Sequence, residues 1–218
     1  MPLALVVMST GISVMAALLG VTGGLPRANF TNPSALAYVV PTGDFTITAT
    51  PVSMVFDGTP NPVTRLFDPT KPRTLSLGMV LQSDGSVASG RAGDDLVLRG
   101  SGTAPDGTVY DRSGASPLLT GEILEFGYAD STIDLFDFRF EVTGGLLGGF
   151  YTNKDIAFQV TSDVANTFAG IFTAPFAGNV KGNIGPIAKR PVLCTGSIGN
   201  FVWQDTNRNG LQDANEPG

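Results

Sequence analysis

The chain has 218 residues, 42% of them hydrophobic and 15% charged, and this is enough for a packed core in one large β domain or two smaller ones. With no His and a single Cys, the sequence excludes Ser-His-Asp and Cys-His nucleophilic sites and zinc sites built from His or from several Cys. The net charge is −6 and the 13 basic residues form no cluster that could neutralise a row of phosphates, so nucleic acid is not an expected partner.

Residues 1–26 form an apolar segment without a charged side chain. Its apolar run has the length of the centre of an export signal, although the basic residues that begin such a signal are missing. A membrane anchor needs about 20 apolar residues, and polar residues and Gly interrupt this run. The pattern favours an export signal, while a membrane anchor and a strand or helix of the mature protein stay open.

From about residue 35, apolar and polar residues alternate with a period of two, which predicts strands with one buried and one wet face. The clearest example is residues 134–142, whose predicted buried face carries Phe136, Phe138, Phe140 and Val142. The wet face of the same strand is predicted to carry Asp137, Arg139 and Glu141. Further strands are predicted at residues 44–49, 75–82, 95–99, 121–128, 155–160, 169–173 and 198–203.

Turns are predicted between these strands at the Asp-Gly pairs 57–58, 84–85 and 106–107, since Gly accepts a positive φ and Asp bonds to its own backbone. The chain also contains 28 Gly and 15 Pro, which is typical of short strands joined by tight turns. We therefore expect an all-β fold in which residues 30–182 form an antiparallel β-sandwich, with a barrel as the alternative.

Residues 183–191 interrupt the alternation with two Pro and the adjacent pair Lys189 and Arg190. This composition is typical of a linker. A new unit is then expected at residues 192–218, and it is shorter than the 50 or more residues of most domains. We therefore expect it to be the truncated start of a domain.

The last residues contain a run that matches the spacing of a calcium-binding loop. Counted from Asp205, oxygen-bearing side chains occupy loop positions 1, 3, 5, 9 and 12, and Gly occupies position 6. The expected ligands are the side chains of Asp205, Asn207, Asn209, Asp213 and Glu216 and the main-chain carbonyl of Leu211. Gly210 would allow the sharp turn that lets these oxygens converge on Ca²⁺. Because two of the ligands are amides, we expect weak binding, in the range of roughly 10⁻⁴ to 10⁻³ M of extracellular modules.

The segment before the loop contains Gly, β-branched and aromatic residues without helix-start chemistry, so an EF-hand helix pair is not expected. Together, residues 196–218 read GSIGNFVWQDTNRNGLQDANEPG. This stretch resembles the opening of the SdrD B-like (Cna B-type) domains of bacterial surface proteins. The resemblance implies the first strand of an immunoglobulin-like domain that binds calcium and acts as a rigid spacer in a secreted or wall-attached protein. The side chains of Asp205, Asn207, Asn209, Asp213 and Glu216 match the first calcium loop of that family.

We therefore expect a non-enzymatic, secreted or cell-surface protein of structural or adhesion type, with calcium as its cofactor. Its β domain would contact host or matrix proteins or glycans. The alternative is a secreted hydrolase or carbohydrate-binding module in which the repeat is only a spacer. A hydrolase could use the paired acids 94–95, 122 with 125, or 130 with 134, although solvated strand faces explain such pairs better.

Overall fold

The computed structural model describes residues 17–31, 33–56, 63–163 and 167–190. Within these residues the fold consists of fourteen β-strands and one 3-10 turn, Gly148–Tyr151. In chain order the strands are β1 (Arg27–Phe30), β2 (Ala35–Val39), β3 (Asp44–Ala49), β4 (Pro51–Val55), β5 (Thr64–Leu66), β6 (Thr74–Leu81), β7 (Val87–Gly90), β8 (Leu96–Arg99), β9 (Gly102–Thr103), β10 (Val109–Tyr110), β11 (Pro117–Ala129), β12 (Leu135–Gly144), β13 (Lys154–Ser162) and β14 (Phe176–Ala188). The expected all-β, antiparallel class is confirmed.

The main sheet closes on itself. Its path runs β13-β12-β11-β8-β6-β3-β2-β14, and β14 pairs again with β13, so that eight strands form a ring. Strands β1 and β2 lie end to end along one edge of β14, while β13 occupies the other edge over nine residue pairs. Strands β4 and β5 extend the sheet beyond β1, and β7 pairs with β6. The separate pair of β9 and β10 forms a small ribbon.

The core fills the interior of this ring and is rich in aromatic side chains. At one end, Phe45, Phe126 and Phe138 lie with ring centroids 5.0 to 5.9 Å apart. The buried face predicted for β12 is confirmed at Phe136, Phe138 and Phe140, each at most 1% exposed, whereas Val142 is only partly buried. These Phe side chains serve core packing.

Several predicted strands match their observed counterparts closely, namely residues 44–49 with β3, 75–82 with β6, 95–99 with β8, 121–128 with β11 and 155–160 with β13. The predicted turns at 84–85 and 106–107 are also present. At the first of them, Asp84 accepts hydrogen bonds from the backbone and hydroxyl of Ser86, and Gly85 has φ +84°. The turn at 57–58 and the strand at 198–203 lie outside the described residues.

The strand predicted at residues 169–173 is wrong. This segment is a loop, and it turns at Gly170, where φ is +73°. Phe168 and Phe172 nevertheless reach the core from the loop, and the carbonyl of Phe172 accepts a hydrogen bond from the Tyr38 hydroxyl at 2.9 Å. Burial of aromatic side chains therefore does not require a strand at this position.

The linker predicted at 183–191 is wrong over residues 183–188, which belong to β14. Pro186 is tolerated there because its carbonyl accepts a hydrogen bond from the amide of Gly24, so its backbone polar groups face away from β13. The missing amide hydrogen of Pro186 thus removes no bond of the β13–β14 ladder. The β domain continues at least to the end of β14.

Candidate functional site

All six expected calcium ligands, Asp205, Asn207, Asn209, Leu211, Asp213 and Glu216, and the turn residue Gly210 lie outside the described residues. The calcium site therefore stays a prediction from the sequence. In the part of the chain that the structure describes, no group of three or more acidic or Cys side chains is placed to hold a metal ion. The same part contains no helix with the length and apolar character of a membrane span.

The described residues do contain a charged site where the chain leaves β14 toward the predicted calcium loop. We call it the exit cluster, and it consists of Glu125 on β11, Arg139 on β12, Asp155 on β13 and Arg190 after β14. The antiparallel register brings these residues together, since Glu125 pairs with Arg139 and Asp155 lies opposite Ile187. A surface cavity of about 350 Å³ opens beside the cluster.

Arg139 is the centre of the exit cluster. Its Nη1 donates to Asp155 Oδ2 at 2.9 Å and to the carbonyl of Ala188 at 3.0 Å, while its Nε lies 3.3 Å from Glu125 Oε2. One guanidinium thus connects two neighbouring strands and the last residue of β14. Arg is suited to this role because its planar fork offers several donors in fixed directions.

Asp155 is the most deeply buried charged residue of the cluster, with only 1% of its side chain exposed. Its Oδ2 also accepts a hydrogen bond from the backbone amide of Arg190 at 3.2 Å. A buried carboxylate is costly unless it is paired, and here both partners of Oδ2 lie at the domain exit. The carboxylate therefore holds the backbone of residue 190 against β13.

The side chain of Arg190 pairs with Glu125, which adds a second connection between the exit and β11. Beside the cluster, Lys189 Nζ lies 3.0 Å from Glu141 Oε1, and both side chains are about half exposed. Solvent screens an exposed ion pair of the latter kind, so the buried Arg139–Asp155 pair carries more of the positioning.

Sequence reasoning missed the exit cluster. Arg139 was predicted to lie on a wet face, but only 13% of its side chain is exposed, and Arg190 was predicted to lie in a linker. The wet face predicted for Glu141 is confirmed, since 53% of its side chain is exposed. The available signal was the coincidence of an Arg inside one strand, an Asp at the start of the next and a basic pair shortly afterwards. Only the strand register reveals that these charges meet.

One of the acid pairs considered for a hydrolase is in contact, Asp130 with Asp134, and Glu122 contacts Asp95, a pair that the sequence did not suggest. Glu122 hydrogen-bonds to Asp95, and burial of Glu122 followed by repulsion from Asp95 raises the pKa of Glu122. Asp134 is buried, which raises its pKa, and it contacts Asp130. Glycosidases hold their two carboxyl groups about 5 to 9.5 Å apart, so carboxyl groups in hydrogen-bond contact do not have that geometry.

No family model, curated protein or solved structure matches this chain.

Proposed function

We propose that this chain is a non-enzymatic structural or adhesion-type protein of the cell exterior, secreted or attached to a bacterial surface. In this proposal the β domain is followed by a calcium-stabilised spacer of the SdrD B-like kind. The single observation that carries it is the run from Asp205 to Glu216, which offers five oxygen-bearing side chains and a main-chain carbonyl at the positions of a calcium loop.

The geometry of the exit cluster supports a spacer role. A spacer transmits orientation only if each unit is held firmly to the next, and here the chain leaves β14 with its last residues bound to three strands. β14 is paired with β13 over nine residues, so a force on the chain that follows β14 is resisted by a long ladder of hydrogen bonds. A flexible tether would need neither feature.

Calcium would act structurally in the proposed spacer. The ligand set contains three carboxylates and two amides, and a hard cation such as Ca²⁺ suits a cage of six or more oxygens. At ten times its dissociation constant, an ion that binds only the folded form stabilises it by about 1.4 kcal/mol. Weak binding of this kind fits an extracellular protein, where the ion is present at millimolar levels. The β domain would then be the part that contacts host or matrix proteins or glycans.

The fluorescence of Trp203 tests the calcium proposal, because it is the single Trp and stands two residues before the first ligand. Titration with CaCl₂ to about 10 mM is expected to give a saturable change with a midpoint of roughly 10⁻⁴ to 10⁻³ M. The double substitution D205A/E216A should abolish this change. The control Q204A/Q212A, which alters neighbouring residues at positions without a ligand role, should preserve it.

An unchanged signal in the wild-type chain would contradict the calcium proposal. An equal response in wild type and D205A/E216A would place the ion elsewhere in the chain.

A further inference from the structure

Residues 17–24 precede β1 and lie across the outer face of the strand ring, and we call them the strap. Val21 in the strap is 2% exposed. The amide of Gly24 donates to the carbonyl of Pro186 at 2.7 Å, on the edge of β14 that faces away from β13. The strap is therefore packed against the β domain.

Asp137 of β12 holds the middle of the strap. Its carboxylate accepts hydrogen bonds from three consecutive amides, those of Leu19 at 2.9 Å, Gly20 at 2.8 Å and Val21 at 3.4 Å. Successive amides can converge on one anion when the backbone alternates its handedness, and the φ of +67° at Gly20 supplies that alternation. Asp137 was predicted to face solvent, but it is only 4% exposed because the strap covers it.

The strands beneath the strap carry Gly where its backbone comes close. A Cβ at Gly127 would lie 2.6 Å from the carbonyl oxygen of Ala17, and a Cβ at Gly185 would lie 2.4 Å from that of Gly24. Both distances are shorter than a side chain tolerates. Gly inside a strand lowers stability and often marks the close approach of another backbone. The sequence of β11 and β14 is thus adapted to the presence of the strap.

We infer that the strap from Leu19 onward is a permanent part of the β domain and that an export peptidase therefore cuts upstream of Leu19, the first donor to Asp137. The cut adds one water to a peptide bond and leaves a carboxylate on the released segment and an amino group on the mature chain. Export peptidases need small residues before the cut, and Ser13, Ala16 and Ala17 provide them upstream of Leu19. The small residues Gly23 and Gly24 provide alternative positions, but a cut there would remove all three donors from Asp137. The position of the cut rests on the proposed export, whereas the role of the strap does not.

The role of the strap can be tested without export. Deletion of residues 1–16 from the full chain should leave its melting temperature nearly unchanged, whereas deletion of residues 1–24 should lower it by more than about 5 °C or prevent folding, because a buried carboxylate loses three donors. Equal melting temperatures of the two shortened chains would overturn the inference.

A second measurement avoids the deletions. Gly127→Ala should displace the strap and increase the rate of proteolytic cutting within residues 17–24 at least several-fold. Gly148→Ala is the matched control, because no atom lies within 4 Å of the added Cβ. Equal rates of cutting in the two variants would overturn the inference.

The position of the cut is tested by expressing the full chain in a secreting bacterial host and measuring the intact mass of the exported protein. A mature chain that begins at Leu19 or earlier supports the inference, and one that begins at Gly20 or later overturns it. Absence of export in the same experiment would contradict the proposed exterior location, while the stability and proteolysis results would still decide the role of the strap.

Discussion

Asp155 and Arg139 illustrate how a buried charge pair can fix geometry at the level of single residues. Removing one partner of such a pair costs about 3–5 kcal/mol, while replacing both by apolar residues is often neutral, so the pair itself adds little net stability. The pair instead fixes the position of the chain end after β14, because Asp155 Oδ2 also accepts a hydrogen bond from the amide of Arg190 and Arg139 also donates one to the carbonyl of Ala188. An apolar pair of the same volume would pack there but would not hold the exit of the chain.

Glu122 gives the β domain a pH dependence of defined sign. Burial and then the neighbouring Asp95 raise its pKa above the ordinary value of 4.5, so the folded state binds its proton more tightly than the unfolded state does. The contribution of Glu122 to stability is therefore present below pH 4.5 and is lost as the pH rises through the raised pKa. We expect Glu122→Gln to increase the melting temperature relative to wild type above that window, with the difference shrinking as the pH falls toward 4.5. Thermal unfolding of both proteins between pH 4 and pH 8 measures this difference.

Asp111→Asn is the control for that measurement and should have the opposite sign. Hydrogen bonds, above all the one from the Ser113 hydroxyl, lower the pKa of Asp111. The contribution of Asp111 to stability is therefore present above pH 3.8, the ordinary pKa, and is lost as the pH falls through the lowered pKa. The variant should be less stable than wild type at neutral pH. A parallel pH response of the Glu122 and Asp111 variants would contradict this account.

At the scale of the elements, β3, β12 and β13 could be predicted from the sequence because a large apolar side chain occupies every second position of the buried face. The burial of Asp137 and Asp155 on the opposite faces could not be predicted. β14 could not, since it is rich in Gly and contains Asn and Pro186, and this composition is typical of a loop. Its glycines are needed where other groups come close. The backbone of Gln159 and the ring of Phe30 lie where a Cβ on Gly182 would stand, and the strap crosses Gly185. Close backbone approach is a tertiary property, and a single sequence does not reveal it.

The same limit applies to the candidate site. The calcium loop is contiguous, so its spacing can be read from the sequence, and it stays a prediction. The exit cluster joins Glu125, Arg139, Asp155 and Arg190, which are up to 65 residues apart in the chain. Its members were recognised individually as polar residues, but only the pairings of β11, β12, β13 and β14 bring them together.

The length of β14 leads to a prediction about the domain boundary. Truncation after residue 182, the boundary expected from the sequence, removes the partners of residues 154–159 and leaves three of the nine β13–β14 pairs. It also removes Arg190 from the exit cluster, so that Asp155 and Glu125 each lose a partner. We expect that chain to be unfolded or aggregated, whereas truncation after residue 190 should keep the fold and a cooperative thermal transition. Circular dichroism and thermal unfolding distinguish the two chains. A cooperative transition at the same temperature in both would mean that residues 183–190 are dispensable for the fold.

For the molecule as a whole, the proposed spacer role depends on whether the β domain and the unit after it move together. Arg190 is the residue that ties the end of the β domain to its strands, because its amide donates to Asp155 and its side chain pairs with Glu125. We expect Arg190→Ser to remove the side-chain connection to Glu125 and to lower the backbone order parameters of residues 188–190, from rigid values near 0.85 toward flexible values below about 0.6. Relaxation of ¹⁵N nuclei measures these values.

The melting temperature of the variant should change little, because the side chain of Arg190 is 62% exposed and its ion pair is screened by solvent. Lys189→Ser is the control, since the side chain of Lys189 bonds to the exposed Glu141 and Lys189 lies outside the exit cluster. If residues 188–190 are already flexible in the wild-type chain, the exit cluster does not hold the end of the β domain, and the structural support for a rigid spacer is lost.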